Sequence, residues 1–184
     1  MKTNENRKAM LIVLTGYMGS GKTAVGKRLA EKMEVGFTDL DDVIAQQEGR
    51  SISDIFRIKK EIYFRKKERF YLEKILTTKD KTVLALGGGT PCYGGNMELI
   101  LSRTPHVFYL KAGVATLLQR LEKEQHSRPL LKDIKKEDLS GFIRKHLFER
   151  SYFYLKAPHI IAVDGLLPGE IAEEIIKRLP PEEN

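Results

Sequence analysis

The segment from Gly16 to Thr23, with the sequence GYMGSGKT, has the residue types and spacing that bind phosphate groups. Gly16, Gly21, Lys22 and Thr23 fill the pattern G-x-x-x-x-G-K-[ST], in which backbone N–H groups surround phosphate oxygens. In this pattern the lysine ammonium reaches the β- and γ-phosphates, and the threonine hydroxyl is a ligand of Mg²⁺. The segment therefore predicts a site for a nucleotide and Mg²⁺.

Such a loop has to connect a strand to a helix, and the sequence provides both. The apolar run Met10 to Leu14 predicts the strand, and Ala24 to Met33 has the apolar spacing of a helix that packs on a sheet. The glycines let the chain curl around an anion, and the helix presents its positive N-terminal end to the same charge. A plain glycine-rich turn before a helix is the alternative, but the flanking strand and helix favour the phosphate loop.

Three aspartates follow the second predicted strand, Val35 to Thr38. In open α/β sheets, ligands bind at the carboxyl ends of the strands. Because side chains alternate in an extended segment, Asp39 and Asp41 are expected on one side, at the site. Aspartate is also a favoured helix N-cap, and we assign that role to Asp42.

Three consecutive glycines, Gly87, Gly88 and Gly89, follow the third predicted strand, Thr82 to Leu86. Either the backbone approaches a ligand closely there, or it adopts positive φ in a tight turn. The first alternative is favoured because this strand is expected beside the phosphate-loop strand. The nearby Cys92 is interpreted as a small packed side chain.

Two further segments contain arginines of interest. Arg65 lies in a helical segment rich in Lys and Arg, and its composition is typical of a solvated helix face. Arg128 lies in the polar segment Glu124 to Asp138, which shows no core element and is interpreted as a mobile lid over residues 124–136. Phosphoryl-transfer enzymes use such loops to exclude water and to bring an arginine onto the phosphate. The alternative is an exposed loop cation.

The remaining predicted elements continue the alternation of strands and helices. Ser51 to Leu76 predicts two helical pieces, and a substrate-side insert is expected over residues 42–78. The later elements are a strand at His106 to Leu110, helices at Val114 to Lys123 and Leu139 to Leu155, a strand at Ile160 to Val163 and a closing helix at Pro168 to Leu179. The pattern is that of an α/β fold.

The composition fits one globular domain over residues 1–184, with 41% hydrophobic and 31% charged residues. No apolar run approaches the roughly 20 residues of a membrane helix, and the N-terminal residues lack the pattern of a secretory signal. We therefore expect a cytoplasmic protein without a membrane partner. The net charge is +7, but the cations are scattered, which favours an electropositive cleft for a nucleotide and a second anion over a nucleic-acid surface.

Taken in order, these features resemble the shikimate kinases. They are the phosphate loop, Asp39-x-Asp41, Phe64-Arg65, Gly87-Gly88-Gly89, Arg128-Pro-Leu-Leu and Arg150. The resemblance extends from Ile12 to Leu179, and the ordered set is much more specific than the phosphate loop, which many NTPases share. It implies a P-loop NTPase fold of the nucleoside-monophosphate-kinase type, with a five-stranded parallel sheet flanked by helices.

The resemblance also implies ATP-dependent phosphorylation of the 3-hydroxyl of shikimate, with Mg²⁺ as cofactor, and we expect a monomer. The implied catalytic residues are Asp41, Lys22 and Arg128. The implied ATP-binding residues are Gly19, Ser20, Gly21, Lys22, Thr23, Ala24, Arg120 and Arg128, with Arg103 as an alternative to Arg120 along the adenine. The implied shikimate-binding residues are Asp41, Arg65, Gly87, Gly88, Gly89 and Arg150, and the implied metal ligands are Thr23 and, through water, Asp39.

The implied roles of Arg65 and Arg150 agree with the chemistry of the shikimate carboxylate, because planar guanidinium groups bind a small carboxylate through paired hydrogen bonds. The sequence departs from the family at Lys60, where the family usually has glycine before glutamate. Two other classes remain open. Gluconate kinases share the loop but should not need the pair Arg65 and Arg150, and a nucleotide-binding regulator would have no need of Asp41 and Arg128.

Overall fold

The computed structural model describes residues 10–77, 80–125 and 130–181, in which strands and helices alternate along the chain. The strands are β1 Leu11–Thr15, β2 Gly36–Asp39, β3 Thr82–Ala85, β4 Val107–Lys111 and β5 His159–Ala162. The helices are α1 Lys22–Met33, α2 Leu40–Glu48, α3 Ile52–Ile75, α4 Asn96–Leu101, α5 Val114–Glu124, α6 Leu139–Tyr154 and α7 Pro168–Lys177, and a short 3₁₀ helix spans Thr90–Cys92. Each helix in the described ranges is too short or too polar to span a lipid bilayer.

The strands form one parallel sheet of five, in the order β2-β3-β1-β4-β5. β1 lies at the centre, where Val13 is paired with Leu84 of β3 and with Val107 of β4. The side chains of these three strands are almost entirely buried, as expected for a parallel sheet covered by helices. The predicted five-stranded parallel sheet is confirmed, and so is the position of β3 beside the phosphate-loop strand.

Helices cover the sheet with their apolar sides. α1 packs against α7 and β3 and buries Val25 and Leu29, while α7 buries Ile175. α5 packs against α6 and buries Leu117 and Leu121. This packing fixes the start of α1, and with it the phosphate loop, relative to the strands.

The parallel arrangement brings three loops to one edge of the sheet. The phosphate loop follows β1, Asp39 is the last residue of β2, and the glycines Gly87 to Gly89 begin two residues after β3. Because β1, β3 and β2 are neighbours in the sheet, these three features lie side by side. The candidate site is therefore at the carboxyl edge of the sheet.

The predicted strands and the helices α1, α5, α6 and α7 agree with the structure to within two residues at each end. The 3₁₀ helix and α4 were not predicted from the sequence. α4 has six residues, which is too short for its apolar spacing to stand out, and two glycines precede it. The missed elements shape the loop that follows the triple glycine.

α3 is interrupted at Lys60, which has φ 67° and ψ 170°. This backbone conformation is essentially restricted to glycine because a Cβ makes it unfavourable. The two helical pieces predicted for Ser51 to Leu76 are therefore two halves of one helical run, separated by this residue. The turn for which the family usually has glycine is formed here with a lysine.

Replacing Lys60 with glycine should raise the free energy of unfolding by about 1 kcal/mol, because relief of backbone strain exceeds the entropic cost of glycine. Lys60→Ala is the matched control, since it removes the long side chain but keeps the Cβ and should not stabilise the protein. Urea unfolding of the three proteins measures both changes. Equal stability of the glycine and alanine variants would contradict the strain argument.

Candidate active site

The phosphate loop curves around the ammonium group of Lys22. Gly16 has φ +144°, and Gly21, with φ +97°, is the N-cap of α1, so both positions need a residue without a Cβ. Lys22 is buried, and its Nζ donates to the carbonyls of Gly16 at 2.8 Å and Tyr17 at 3.0 Å. A cation inside a loop at a helix N-terminus is an arrangement that binds phosphate.

The predicted metal ligands Thr23 and Asp39 are in contact, because the Thr23 hydroxyl donates to Asp39 Oδ2 at 2.7 Å. Asp39 Oδ1 accepts from the backbone N–H of Asp41 at 3.1 Å, which makes Asp39 the N-cap of α2. The prediction that Asp42 caps this helix is wrong, because α2 already begins at Leu40. A hydroxyl and a carboxylate beside the loop are oxygen ligands of the kind that Mg²⁺ prefers, so these residues fit the ion.

Asp41 lies in the first turn of α2 and lines a pocket beside the phosphate loop. The prediction of an extended segment through Asp41 is wrong, since the residue is helical, but its carboxylate still interacts with the charge of Asp39. Burial, and then the charge of Asp39, raises the pKa of Asp41 to about 6. Asp41 Oδ1 is buried and has no hydrogen-bond partner among the described residues, so it can accept a hydrogen bond from a substrate hydroxyl.

The backbone of Gly87 to Gly89 packs closely against three other parts of the site. All three glycines belong to the described residues, and none has a positive φ, which excludes the alternative of a tight positive-φ turn. A Cβ would lie 2.8 Å from Asp41 Oδ1 at Gly87, 3.0 Å from the Met18 nitrogen at Gly88 and 2.9 Å from Arg65 Nη2 at Gly89. The glycines are thus required for close approach, and the groups that approach belong to the protein itself.

Arg65 is held in place by carboxylates on its own helix. Its Nη1 donates to Glu68 Oε2 at 2.8 Å, and its Nε and Nη2 each lie 3.3 Å from Glu61 Oε1. Its side chain is only 16% exposed, so the interpretation of a solvated helix face is wrong for this residue. Glu68 is fully buried and also accepts from the Thr90 hydroxyl at 2.7 Å, which ties α3 to the loop after the glycines.

Arg150 lies on α6, on a different helix from Arg65, and is buried. Four residues later, the buried Tyr154 donates a hydrogen bond to the carbonyl of Gly88 and stacks on Tyr109. Burial raises the pKa of Tyr154, so its hydroxyl remains a donor. α6 therefore supplies both a cation for the pocket and a support for the glycine backbone.

A second contact joins α6 to the phosphate loop. The hydroxyl of Tyr17 and Nδ1 of His146 are 3.0 Å apart, and the two rings meet edge to face. Burial lowers the pKa of His146 to about 4 and raises the pKa of Tyr17 to about 12, so both groups are neutral near neutral pH. The contact thus fixes the loop without adding a charge.

One pocket is lined by all six predicted substrate-binding residues. Its walls are the apolar Met18, Ile52, Phe56, Phe64 and Leu130, the charged Asp41, Arg65, Glu68 and Arg150, and the backbone of Gly87, Gly88 and Gly89. Sequence reasoning identified every charged group except Glu68. A glutamate three residues after an arginine on a helix has no sequence signal that distinguishes a buried partner from a surface one.

Arg120 contacts the phosphate loop, where its Nη1 donates to the carbonyl of Gly19 at 3.0 Å. The alternative, Arg103, lies just before Thr104, whose hydroxyl bonds the carbonyl of Leu11 at the start of β1. Arg103 is therefore at the amino end of the sheet, away from the loop. This position excludes Arg103 as the residue that lies along the adenine. The assignment of Arg120 to the adenine stays a prediction.

The predicted lid is only partly described, and Arg128 lies outside the described residues together with the rest of 126–129. A hydrogen bond joins the residues before and after 126–129, because Gln125 Nε2 donates to the carbonyl of Leu131 at 3.1 Å. Leu131 is fully buried and Leu130 lines the pocket. The prediction that this segment contributes nothing to the core is wrong for Leu131.

Comparison with known proteins identifies a family for this chain. A family model described as shikimate kinase matches residues 18–180. The shikimate kinase of Flavobacterium psychrophilum is 41% identical over 168 residues, which cover 91% of this chain and 98% of that protein.

Solved structures agree with the sequence comparison. The shikimate kinase of Bacteroides thetaiotaomicron has a TM-score of 0.83 at 33% identity, covering 92% of this chain and 95% of its own. The shikimate kinase of Acinetobacter baumannii, solved in complex with shikimate, has a TM-score of 0.84 at 33% identity and 92% coverage of both chains. On these matches, the chain belongs to the shikimate kinase family.

Proposed function

We propose that the protein transfers the γ-phosphoryl group of ATP to the 3-hydroxyl of shikimate, in the pathway to chorismate and the aromatic amino acids. The observation that carries the proposal is the pocket beside the phosphate loop. In it, the buried carboxylate oxygen of Asp41, which no described donor pairs, lies together with Arg65 and Arg150 from separate helices. Membership of the family supports the same two substrates.

The phosphate loop binds ATP in this proposal. Lys22 contacts the β- and γ-phosphates, and the backbone of Gly19, Ser20, Gly21 and Ala24 surrounds them. Thr23 and, through water, Asp39 would hold Mg²⁺, which would neutralise charge on the phosphate oxygens. Arg120, already placed against the carbonyl of Gly19, lies along the adenine.

Shikimate occupies the neighbouring pocket. Arg65 and Arg150 bind its carboxylate, and the backbone of Gly87 to Gly89 lies beside its ring. This leaves the 3-hydroxyl next to Asp41, which accepts its proton or orients it for attack on the γ-phosphate. With its pKa raised to about 6, Asp41 is a carboxylate at neutral pH and is more basic than an exposed aspartate.

Two segments complete the proposal. Residues 42–78, which include most of α2 and all of α3, form the substrate-side insert. Residues 124–136 form a lid from which Arg128 reaches the transferred phosphoryl group. All assigned side chains come from one chain, so a monomer suffices. The proposed location is the cytoplasm, without a nucleic-acid or membrane partner.

Release of ADP with different acceptors tests the proposed reaction. With ATP and Mg²⁺, shikimate should be turned over far faster than gluconate or any nucleoside monophosphate. The ring of shikimate holds its carboxylate and its 3-hydroxyl at a fixed separation, whereas gluconate is a flexible open chain and a nucleoside monophosphate has no carboxylate for the two arginines. A chelator of divalent cations should stop the reaction. Robust turnover of gluconate or a nucleotide, together with no turnover of shikimate, would contradict the proposal.

Replacing Asp41 with asparagine should lower kcat by about 10² or more, the scale of general-base or orienting contributions. For the parent protein, kcat/KM for shikimate should fall as the pH decreases through about 6, because Asp41 becomes protonated. Rate profiles from pH 5 to 8 measure both effects.

Asp42→Asn is the matched control for Asp41→Asn, since Asp42 is an exposed neighbour on the same helix and its replacement should leave the rate unchanged. Burial disfavours the charged form of Asp41, so Asp41→Asn should be at least as stable as the parent at pH 8, and loss of rate will not reflect unfolding. A full rate with asparagine at position 41 would remove Asp41 from the chemistry.

Replacing Arg65 with lysine should weaken shikimate binding by about 1.5 to 3 kcal/mol, because lysine keeps the charge but loses the paired hydrogen bonds. ATP binding should hardly change. Arg57→Lys is the matched control, since the Arg57 side chain is on the same helix and is 69% exposed. Calorimetric titration measures both affinities, and an unchanged shikimate affinity in Arg65→Lys would place the carboxylate elsewhere.

A further inference from the structure

The ring of Tyr93 lies directly on the guanidinium group of Arg65. The distance from Arg65 Cζ to the centre of the ring is 3.9 Å, shorter than the 5.1 Å to Phe64 and the 6.0 Å to Phe56. Tyr93 comes just after the 3₁₀ helix that follows the triple glycine, and it is 38% exposed. It therefore covers the guanidinium of the pocket from the solvent side.

Stacking uses a part of the guanidinium that carries no hydrogen-bond donor. All five N–H groups of an arginine lie in its plane, at its edges. Glu61 lies at the Nε and Nη2 edge, and Glu68 accepts from Nη1. Tyr93 covers the face and so restrains the tilt of the plane without occupying a donor that a substrate carboxylate needs.

Tyr93 is itself fixed to α3. Its hydroxyl interacts with the Glu61 carboxylate, and its carbonyl accepts from the backbone N–H of Asn96 at 2.9 Å. Arg69 Nη1 donates to the carbonyl of Gly94 at 2.9 Å and to Asn96 Oδ1 at 3.1 Å, which anchors the loop that carries the ring. The position of the ring is thus determined at its hydroxyl by Glu61 and at its backbone by the anchored loop.

The same loop limits Arg65 from a second direction. At Gly89, a Cβ would be 2.9 Å from Arg65 Nη2 and 3.1 Å from Nη1. Gly89 and Tyr93, four residues apart, therefore both contact one guanidinium group. Because Arg65 Nη1 is also bonded to Glu68, the Arg65 side chain has little room for another rotamer.

We propose that Tyr93 is a positioning residue for binding of the substrate carboxylate, and that it acts by holding the plane of the Arg65 guanidinium. This inference rests on the proposed function, in which Arg65 binds the carboxylate of shikimate. A guanidinium already held in one orientation loses less freedom when it binds, so the ring improves affinity without contacting the reacting atoms. The effect falls on shikimate and not on ATP.

Variants of Tyr93 test whether the aromatic face is what matters. Tyr93→Leu and Tyr93→Gln remove the ring, and the glutamine can still interact with Glu61. Both should raise KM and Kd for shikimate by about 3- to 30-fold, the range of cation–π contributions, and leave kcat and KM for ATP nearly unchanged. Tyr93→Phe keeps the ring and should stay within about 2-fold of the parent.

Binding is measured by calorimetry, since the chain has no tryptophan to report on it by fluorescence. The matched control is Tyr152→Leu. Tyr152 is another exposed tyrosine with a cation over its ring, Lys156 at 4.6 Å, and it does not line the pocket. Thermal unfolding of each variant identifies any loss of the folded protein, and the two ring-free variants provide independent readings.

A double-mutant cycle tests whether Tyr93 acts through Arg65. In an Arg65→Lys background, Tyr93→Leu should have little further effect on shikimate affinity, because the planar partner of the ring is gone. An equal loss in both backgrounds would overturn the inference. So would a Phe variant as weak as the Leu variant, or Leu and Gln variants that bind shikimate as the parent does.

The outcomes separate this inference from the proposed function. If the parent phosphorylates shikimate and the ring-free variants match it, the role of Tyr93 is overturned while the function stands. If the parent fails to phosphorylate shikimate, both are overturned. A selective rise in KM for shikimate, rescued by phenylalanine and absent without Arg65, supports the inference.

Discussion

The close packing of Gly87 to Gly89 against the phosphate loop is the constraint on which the site depends. The backbone of Gly88 comes so near the Met18 nitrogen that a Cβ would lie 3.0 Å away. This contact brings the proposed acceptor pocket against the phosphate loop, without a side chain of Gly88 between them. Phosphoryl transfer needs the two reactants in line and close together, so this absence of side chains serves the geometry of the reaction. The hydrogen bond from Tyr154 to the Gly88 carbonyl holds the same backbone from the other side.

The charges of the pocket are arranged so that one carboxylate remains available. Glu68, which is more deeply buried than Asp41, is paired with Arg65 and also accepts from Thr90. Asp41 has no such donor on its Oδ1 among the described residues, and its pKa is raised as a result of burial. A buried carboxylate without a partner is unfavourable for stability and is typical of a group that acts on a substrate. The pocket thus contains one carboxylate paired with an arginine and one with an unpaired buried oxygen, and the second is the one that we propose acts on the substrate.

The sequence predicted the features that depend on local pattern and could not predict those that depend on tertiary packing. The phosphate loop and the strands follow from spacing and apolar runs, and both agree with the structure. The cap of α2 was assigned to Asp42 instead of Asp39, because the helix start depends on a hydrogen bond that several aspartates could make. The burial of Arg65 was hidden by the charged residues around it. Only the fold shows that Tyr93 covers Arg65, because Arg65 lies in α3 and Tyr93 lies in the loop after the 3₁₀ helix.

The neutral contacts of α6 explain why the site can use a group that titrates near neutral pH without losing its shape. The Tyr17–His146 pair, which holds the phosphate loop, has its two pKa values moved to about 12 and about 4, so neither group changes charge between those limits. Burial also lowers the pKa of His106 and His159, the other histidines of the described chain. Burial raises the pKa of Asp41 to about 6, so this carboxylate changes charge near pH 6 while the Tyr17–His146 pair stays neutral. Under the proposed function, a change of rate in that pH range reports on the charge of Asp41 and not on the Tyr17–His146 contact.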